Sequence, residues 1–268
     1  MTIKPASEPG GDAFTWLGQA GFLLELGGRR ILVDPWVSPF EGRLAPIPPL
    51  PLVAEAIDTI LVTHEHLDHL DQAFLPVLVE RCPHVRLVLP AAIGSQVEGV
   101  LEPSRIHRVT PGDTYDLDGL RLTVVPAIHG VTMDDAYGDG SSLGAGPRFV
   151  GYVLHGEACV YHAGDTLVTA DILEVVSGLG VDVALLPING RNAQREASGF
   201  VGNMDAREAV ELATGIGARS LVPYHWDGVR GNTADPAEAV VGAGARLAVH
   251  VPRHFSRVTV RSGCEPRR

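Results

Sequence analysis

Hydrophobic residues at the start of the chain occur in short runs, and turns that contain glycine separate them. The runs are 14–17, 22–26 and 30–33, and Asp34-Pro35 ends the third. Short apolar runs between glycine turns are typical of consecutive antiparallel strands. The pattern therefore predicts a meander of three strands.

Beyond residue 58, apolar runs typical of buried strands alternate with longer helical patterns. Asp118-Gly119 separates two such runs and predicts a hairpin. The predicted strands are 59–62, 85–89, 106–109, 114–117, 120–125, 149–154, 158–161, 183–186, 220–222 and 247–251, and the predicted helices are 71–81, 91–100, 170–179, 204–215 and 236–241. The order, strands first and then strand–helix alternation, occurs twice without a linker. We therefore expect one α/β (α+β) domain of two similar halves.

Three long segments interrupt this pattern. Residues 38–52 contain five prolines, so this stretch can form neither a helix nor a central strand. Residues 130–147 are rich in glycine, aspartate and serine, and residues 190–203 are polar. Long loops in compact domains often carry function. We expect the loops 35–52, 130–147 and 190–203 to decide which substrate is bound.

Composition and charge limit the partners. The 268 residues carry a formal net charge of −11, and an acidic surface repels nucleic acid and anionic membranes. No apolar run reaches the roughly 20 residues that span a bilayer. We expect a small-molecule substrate, no nucleic-acid or membrane partner and a cytoplasmic location; a homo-oligomer stays open. The polar residues 1–12 predict a disordered leader before a single domain at 13–268.

The run from His64 to His69 is the densest cluster of metal-ligand residue types. It holds three histidines and Asp68 within six residues, directly after a predicted buried strand. On a regular helix His64 and His66 would point roughly 200° apart, but in a loop they can converge on one ion. Imidazole and carboxylate groups suit zinc, manganese or iron. The alternative is a chance cluster of surface histidines.

Three further candidates follow other predicted strands. His129, Asp165 and His225 each come shortly after an apolar run. An α/β sheet places functional groups at these strand ends. A single histidine is more often structural than a ligand, but three candidates at equivalent positions favour a shared site.

The pattern H-x-H-x-D-H, then histidine, then aspartate in Gly164-Asp165-Thr166, then histidine, resembles the metallo-β-lactamase superfamily over about residues 13–251. The resemblance implies an αββα sandwich with a pseudo-two-fold axis. It also implies a metal hydrolase with two divalent ions, zinc or manganese, with iron as a further option. His64, His66 and His129 would hold one ion, and Asp68, His69 and His225 the other. Asp165 would bridge them.

Further stretches resemble the ascorbate-6-phosphate lactonase branch, which typically uses manganese. They include Thr15–Phe22, Asp34-Pro35-Trp36 and Val160–Asp165. The resemblance implies that hydroxide on the metal opens a small ester or lactone, which in that branch is a sugar-phosphate lactone. The alternatives are a phosphodiesterase or phospholipase-D-like hydrolase and a non-catalytic binding protein on the same scaffold.

Two catalytic roles and several supporting roles follow from these residues. Asp165 suits a bridge because a carboxylate can bind two ions, whereas Asp68 is either a ligand, which we prefer, or an acid for the leaving oxygen. Glu65, Asp71 and Thr63 are candidates to fix histidine tautomers, although solvation of Glu65 is an alternative. His162 is a candidate to support Asp165 rather than to bind metal.

Substrate contacts are predicted in two places. Arg191 and Arg195 could clamp an anionic group, or could be solvated loop arginines. Tyr224 and Trp226 flank His225 and could line the pocket, or could belong to the core.

Overall fold

The computed structural model describes residues 11–260 as two mixed β-sheets packed face to face. The first sheet has the order β14-β1-β2-β3-β4-β5-β6, and the second has the order β13-β12-β11-β10-β9-β8-β7. The strands of the first sheet are β1 (Ala13–Gly18), β2 (Gly21–Leu26), β3 (Arg29–Val33), β4 (Thr59–Leu61), β5 (Arg86–Pro90), β6 (Ile106–Val109) and β14 (Arg257–Thr259). Those of the second sheet are β7 (Thr114–Asp116), β8 (Arg121–Pro126), β9 (Val150–His155), β10 (Cys159–His162), β11 (Val183–Pro187), β12 (Ser220–Tyr224) and β13 (Ala248–Val249).

Helices cover the outer faces of both sheets. They are α1 (Leu50–Val53) and α2 (Leu75–Arg81) on the first sheet, and α3 (Ala170–Ser177), α5 (Ala206–Gly215) and α6 (Ala237–Ala243) on the second. The short helix α4 (Ala193–Ala197) buries no residue, and 3₁₀ helices lie at Ala91–Val97, Pro103–Arg105 and Ser141–Leu143. In the described residues no helix is long and apolar enough to cross a membrane.

The strand sequences explain this layering because their side chains alternate between two apolar layers. Leu24 in β2 packs in the layer between the sheets, whereas its neighbour Leu23 packs under α1 and α2. A third apolar layer joins the outer face of the second sheet to α3, α5 and α6. Both faces of each sheet are therefore covered, as the predicted αββα sandwich requires.

The two halves repeat one another, as the sequence pattern predicts. In each sheet antiparallel strands are followed by parallel ones: β3 to β6 are parallel, and so are β10 to β13. Parallel neighbours bring their carboxyl ends to one edge of the sheet. This arrangement prepares the site because the candidate ligands follow those ends.

Several predicted boundaries were wrong. Helix α2 begins at Leu75 and not at Asp71, since Pro76 has no N–H and its ring would meet the carbonyl group four residues earlier in a helix that began sooner. The predicted helix 91–100 is a 3₁₀ helix at Ala91–Val97, and the predicted loop 190–203 contains α4.

The predicted disordered leader was wrong at its end. Asp12 is buried, and its carboxylate accepts hydrogen bonds from the backbone N–H groups of Gly27 and Ala158. These bonds tie the segment before β1 to both sheets. Residues 1–10 of the predicted leader, and residues 261–268 of the predicted domain, lie outside the described residues.

Candidate metal centre

All seven predicted ligands lie at one edge of the sandwich. The segment His64–His69 follows β4 in the first sheet, whereas the other candidates follow strands of the second sheet. Those are His129 after β8, Asp165 after β10 and His225 after β12. The site is therefore assembled from both sheets.

The seven side chains form three overlapping groups that could hold a metal ion. Within each group the ligand atoms lie within 4.8 Å of one another. The groups are His64, His66 and His129; His64, His69 and Asp165; and Asp68, His69 and His225. The first and third groups are the two sets that the family resemblance implies.

Asp165 lies between these two sets. Its Oδ2 atom is 3.6 Å from Nε2 of His129 and 3.1 Å from Nε2 of His225. Its Oδ1 atom is 3.4 Å from Nε2 of His69. One carboxylate thus faces histidines of both sets, which is the position that a bridging ligand needs.

Four buried polar atoms in this cluster have no hydrogen-bond partner among the described residues. They are Nε2 of His69, both ring nitrogens of His129 and Oδ1 of Asp165. Buried polar atoms in proteins are nearly always paired, and unpaired ones call for an explanation. A divalent cation would satisfy these nitrogen and oxygen donors together, so the residues fit a metal site.

The pKa shifts divide four histidines of the cluster into two that are neutral at pH 7 and two whose pKa is raised. Burial lowers the pKa of His129 to about 3 and lowers that of His64 well below its usual value, so both rings are neutral donors at pH 7. Burial also acts to lower the pKa of His69 and His225, but the nearby carboxylates, with Asp165 contributing most among them, together outweigh it and raise the pKa of both, that of His225 to about 9. A bound cation would take the place of those protons.

Asp68 is the second anionic group of the cluster. Burial acts to raise the pKa of Asp68, but His69 and His225 overcome this effect and lower the pKa below its usual range. Its Oδ2 atom is 3.5 Å from Nε2 of His225. An ionised carboxylate in this position suits a ligand better than a proton donor.

Asp34 is a functional residue that the sequence reasoning missed. Its Oδ2 atom is 2.7 Å from Nδ1 of His69 and accepts a hydrogen bond from the hydroxyl group of Thr63, also at 2.7 Å. The contact fixes the ring of His69 so that Nε2 faces Asp165. The available signal was its position, since Asp34 directly follows β3 at the same edge as the ligands.

Gln19, in the turn between β1 and β2, was missed as well. Its amide Nε2 donates to Oδ2 of Asp68 at 2.7 Å. Its backbone N–H donates to Asp227, which in turn contacts His254. Gln19, Asp34 and His225 all have positive φ angles, of 51°, 44° and 61°. Unusual backbone of this kind often occurs at functional sites.

The other predicted supporting residues have mixed outcomes. Thr63 lies 3.1 Å from Nδ1 of His64, as a tautomer-fixing partner should. His162 is 2.9 Å from the carbonyl oxygen of Ala20 through Nε2 and accepts from the N–H of Gly164 through Nδ1, so it holds the segment before Asp165. Both therefore support the ligands without joining them.

Asp71 and Glu65 do not support the ligands. Asp71 accepts hydrogen bonds from the backbone N–H groups of Val37 and Ser38, so it anchors the loop after β3. Glu65 forms an ion pair with Arg148 and is neither solvated nor bound to a histidine. Both predictions were wrong because they used closeness in sequence, whereas the carboxylates reach partners in other loops.

Two of the predicted substrate contacts, Arg191 and Tyr224, do not face the site. Arg191 donates to both carboxylate oxygens of Glu208 in α5, at 2.7 and 2.8 Å, and to the carbonyl of Asn203. Tyr224 is fully buried between the sheets, and its hydroxyl group donates to the carbonyl of Gly164. The prediction was wrong for Arg191 because a closer anion occupies its guanidinium, and for Tyr224 because β12 turns that side chain into the core.

A cavity of about 230 Å³ opens over the cluster. Five of the candidate ligands line it, namely His66, Asp68, His129, Asp165 and His225. A small molecule in this cavity would therefore contact the proposed metal site directly.

Comparison with known proteins agrees with this geometry. Residues 29–226 match the β-lactamase superfamily domain, which is most of the chain. The chain belongs to the metallo-β-lactamase superfamily. Among curated members of this superfamily, the UPF0173 metal-dependent hydrolase of Pyrobaculum aerophilum is 33% identical over 216 residues, which are 79% of this chain and 83% of that protein. The UPF0173 metal-dependent hydrolase of Methanopyrus kandleri is 34% identical over 84% of this chain and 88% of that protein.

A solved structure shares the fold. Igni18, described as a novel metallo hydrolase of Ignicoccus hospitalis, superimposes with a TM-score of 0.73 at 23% identity, covering 93% of this chain and 98% of that one. The fold is thus the metallo-β-lactamase sandwich, and the protein is a metal-dependent hydrolase of this superfamily.

Proposed function

We propose that the protein hydrolyses a small carboxylic ester or lactone in the cavity above the seven-residue cluster. One observation carries the proposal. Buried nitrogen and oxygen atoms of His69, His129 and Asp165 have no hydrogen-bond partner among the described residues, and they lie beside a cavity wide enough for a small substrate. Metal-assisted hydrolysis needs this combination of a ligand set and access for a substrate.

In this proposal two divalent ions, zinc or manganese, would occupy the cluster. His64, His66 and His129 would hold one ion, and Asp68, His69 and His225 would hold the other. Asp165 faces both sets and would be a ligand shared between them. When bound, such ions polarise a carbonyl group and lower the pKa of water toward neutrality.

The chain's own residues orient this machinery. Asp34 holds the Nδ1 proton of His69, and the carbonyl of Val131 lies 3.1 Å from Nε2 of His66 and holds the proton there. Each contact leaves the other ring nitrogen free for the cluster. Gln19 fixes Asp68 through its amide donor. Partners of this kind set the tautomer and the direction of metal ligands.

A substrate without a non-reacting phosphate fits better than a sugar-phosphate lactone. Away from a metal centre, phosphate recognition in proteins relies on arginine, lysine or a helix N-terminus. Among the described residues, those that line the cavity include no arginine or lysine, and Arg191 is paired with Glu208. This favours an unphosphorylated ester or lactone over a sugar-phosphate lactone, whereas a phosphodiester, whose reacting phosphate divalent ions would hold, is distinguished by a hydrolysis screen.

A hydrolysis screen with metal quantified in the same sample tests the proposal. The purified protein, loaded with Mn²⁺ or Zn²⁺, is assayed on esters, lactones, phosphodiesters, a sugar-phosphate lactone, thioesters and β-lactams. We expect turnover of esters or lactones, and no turnover above background by Asp165→Ala, which controls for a contaminating esterase. Turnover of phosphodiesters alone would overturn the ester assignment, and a metal-loaded protein without any turnover would favour a binding role.

A further inference from the structure

The walls of the cavity are apolar, in contrast to its polar floor. Three loops supply them: Trp36 and Phe40 from the loop after β3, Phe200 and Val201 from the segment after α4, and Val229 from the loop after β12. Trp36 is almost fully buried, whereas Phe40 is 44% exposed at the mouth. Apart from the proposed metal ligands, two of the described lining side chains carry polar atoms, namely Asn232 and Trp36, whose buried indole N–H has no hydrogen-bond partner among the described residues.

Three arginines in these loops and in or next to α4 are committed to structural contacts, whereas Arg230, next to Val229, is exposed and does not line the cavity. Arg43 donates to the carbonyl groups of Trp36, Ser38, Ala45 and Pro46, and its guanidinium lies 3.8 Å above the centre of the Trp36 ring. Arg195 donates to the carbonyls of Gly190 and Thr233. Arg191 is paired with Glu208. The single lysine of the sequence, Lys4, lies outside the described residues.

The same contacts keep the apolar wall in place. Arg43 binds backbone within the Trp36–Phe40 segment and also after it, at Ala45, and Asp71 accepts hydrogen bonds from Val37 and Ser38 within the segment. The rings of Trp36 and Phe40 pack edge to face with centroids 6.0 Å apart. The apolar surface is therefore preformed, which lowers the entropy that these loops lose when a ligand binds.

The size of the cavity limits the apolar group that fits. An engineered apolar cavity of about 150 Å³ in another protein holds benzene. The 230 Å³ here accommodates a group of that size together with the reacting ester. Larger apolar tails would extend past Phe40 into solvent.

We propose that the substrate carries an uncharged apolar acyl or aryl group, which packs against Trp36, Phe40 and Phe200 while its ester or lactone carbonyl lies at the metal cluster. This inference rests on the proposed function and names its substrate class. It disfavours substrates whose non-reacting part is a phosphate or a carboxylate, because the described residues that line the apolar walls offer such a group no cationic partner.

Chain-length dependence of ester hydrolysis tests the substrate class. The metal-loaded protein is assayed with 4-nitrophenyl acetate, butyrate, hexanoate and octanoate, and with the mono-4-nitrophenyl ester of adipic acid. We expect kcat/KM to rise about fourfold per added methylene, since each buried methylene contributes about 0.8 kcal/mol, and to level off once the cavity is full. The adipate ester has the same six-carbon acyl chain as hexanoate, with a carboxylate in place of the terminal methyl group. We expect it to react at least about tenfold more slowly than hexanoate. A flat series, or faster turnover of the adipate ester, would overturn the proposal.

Two variants locate the effect in the cavity. Val229→Phe should fill it and reduce kcat/KM for hexanoate more than kcat/KM for acetate, and Phe200→Ala should reduce the dependence on chain length. Arg230→Ala is the matched control, because Arg230 is exposed next to Val229 and does not line the cavity. Equal chain-length profiles in the wild type and both cavity variants would contradict the assignment.

A binding series separates this inference from the proposed reaction. Acetohydroxamate, butyrohydroxamate and hexanohydroxamate are titrated into the metal-loaded protein by calorimetry, and none of them needs to be hydrolysed. If hydroxamate affinity rises with chain length but the protein cleaves no ester, the apolar pocket is supported and the ester hydrolase activity is contradicted. If the protein cleaves esters but hydroxamate affinity does not depend on chain length, the hydrolase activity is supported and the apolar pocket is contradicted.

Discussion

At the scale of single residues, the candidate ligands depend on partners that lie behind them. Asp34 is fully buried and contacts both Thr63 and His69. Removing its negative charge would leave the Nδ1 proton of His69 without an anionic acceptor and would free the ring to turn. The candidate metal site therefore extends beyond its seven candidate ligands.

The first prediction concerns this carboxylate. Asp34→Asn should lower metal affinity about 10–100-fold, the usual effect of losing a partner that orients a ligand. Competition with a chromophoric chelator measures it. Asp58→Asn is the control, because Asp58 accepts a backbone hydrogen bond from Arg30 and lies outside the site. Unchanged affinity in folded Asp34→Asn protein would show that Asp34 does not orient the ligand.

The sequence predicted the candidate ligands better than their partners. The ligands are histidines and aspartates directly after apolar strands, which is a local signal. Asp34 carries the same signal after β3 but stands alone there. Gln19 has no such signal, because the fold alone brings it to Asp68, 49 positions away. Arg191 could not be assigned either, since its partner Glu208 is 17 residues further along the chain.

At the scale of elements, the turn after β10 sets the position of Asp165. Gly164 has a φ angle of +64°, and a Cβ atom there would lie 2.7 Å from the carbonyl oxygen of Val150 and 2.9 Å from Cβ of Thr63. This turn therefore brings the second sheet close to the strand end that carries His64. A side chain at Gly164 would separate the two.

The second prediction follows from this contact. Gly164→Ala should reduce both the metal content and the melting temperature, because the turn must move away from Thr63. Metal analysis and thermal unfolding of the same sample measure the two effects. Gly178→Ala, at a helix end where the added methyl has room, should change neither. A Gly164→Ala protein with full metal content would contradict the role of the turn.

The third prediction concerns the segment before α5. The hydrogen bond from Arg191 lowers the pKa of Glu208 from its ordinary value of 4.5, so the contact stabilises the fold above that pH and is lost as the pH falls through the lowered pKa. Arg191→Ala should therefore reduce the free energy of unfolding by less than about 1 kcal/mol at pH 7, because the pair is partly exposed, and by less still near pH 3.

Urea unfolding at the two pH values measures this difference, and ester kinetics should show an unchanged KM. The control is Arg207→Ala, which removes an exposed ion pair of the same helix and should have a smaller effect. A raised KM in Arg191→Ala would show that Arg191 contributes to substrate binding.

Strands with apolar alternation could be predicted, whereas strands fixed by pairing alone could not. Most strand boundaries agree within two residues because their side chains fill the apolar layers. Strand β14 was missed because its residues are polar or partly exposed and it is held by pairing with β1. Backbone pairing between residues 13–15 and 257–259 is not recorded in the hydrophobic pattern of residues 257–259.

At the scale of the whole molecule, the candidate metal ligands come from both sheets. One sheet supplies the segment His64–His69, and the other supplies His129, Asp165 and His225. An ion bound by both would link the halves and stabilise the folded chain, because the unfolded chain does not assemble the site.

The fourth prediction is that chelation destabilises the protein. At a metal concentration about 100 times Kd, binding contributes about 2.7 kcal/mol, which is about 5–10 °C in melting temperature for a chain of this size. Scanning calorimetry with and without a chelator measures the shift, and added Mn²⁺ or Zn²⁺ should restore it. An equal melting temperature with and without metal would mean that the ion does not join the sheets.

The central claim is that side chains from both sheets hold divalent metal through Asp165. Metal quantification by mass spectrometry on purified wild type, Asp165→Ala and the exposed control Asp134→Ala tests it most directly. We expect divalent metal in the wild type and in Asp134→Ala, and the loss of most of it in folded Asp165→Ala. Full metal content in Asp165→Ala, or no bound metal in the wild type after loading, would contradict the claim.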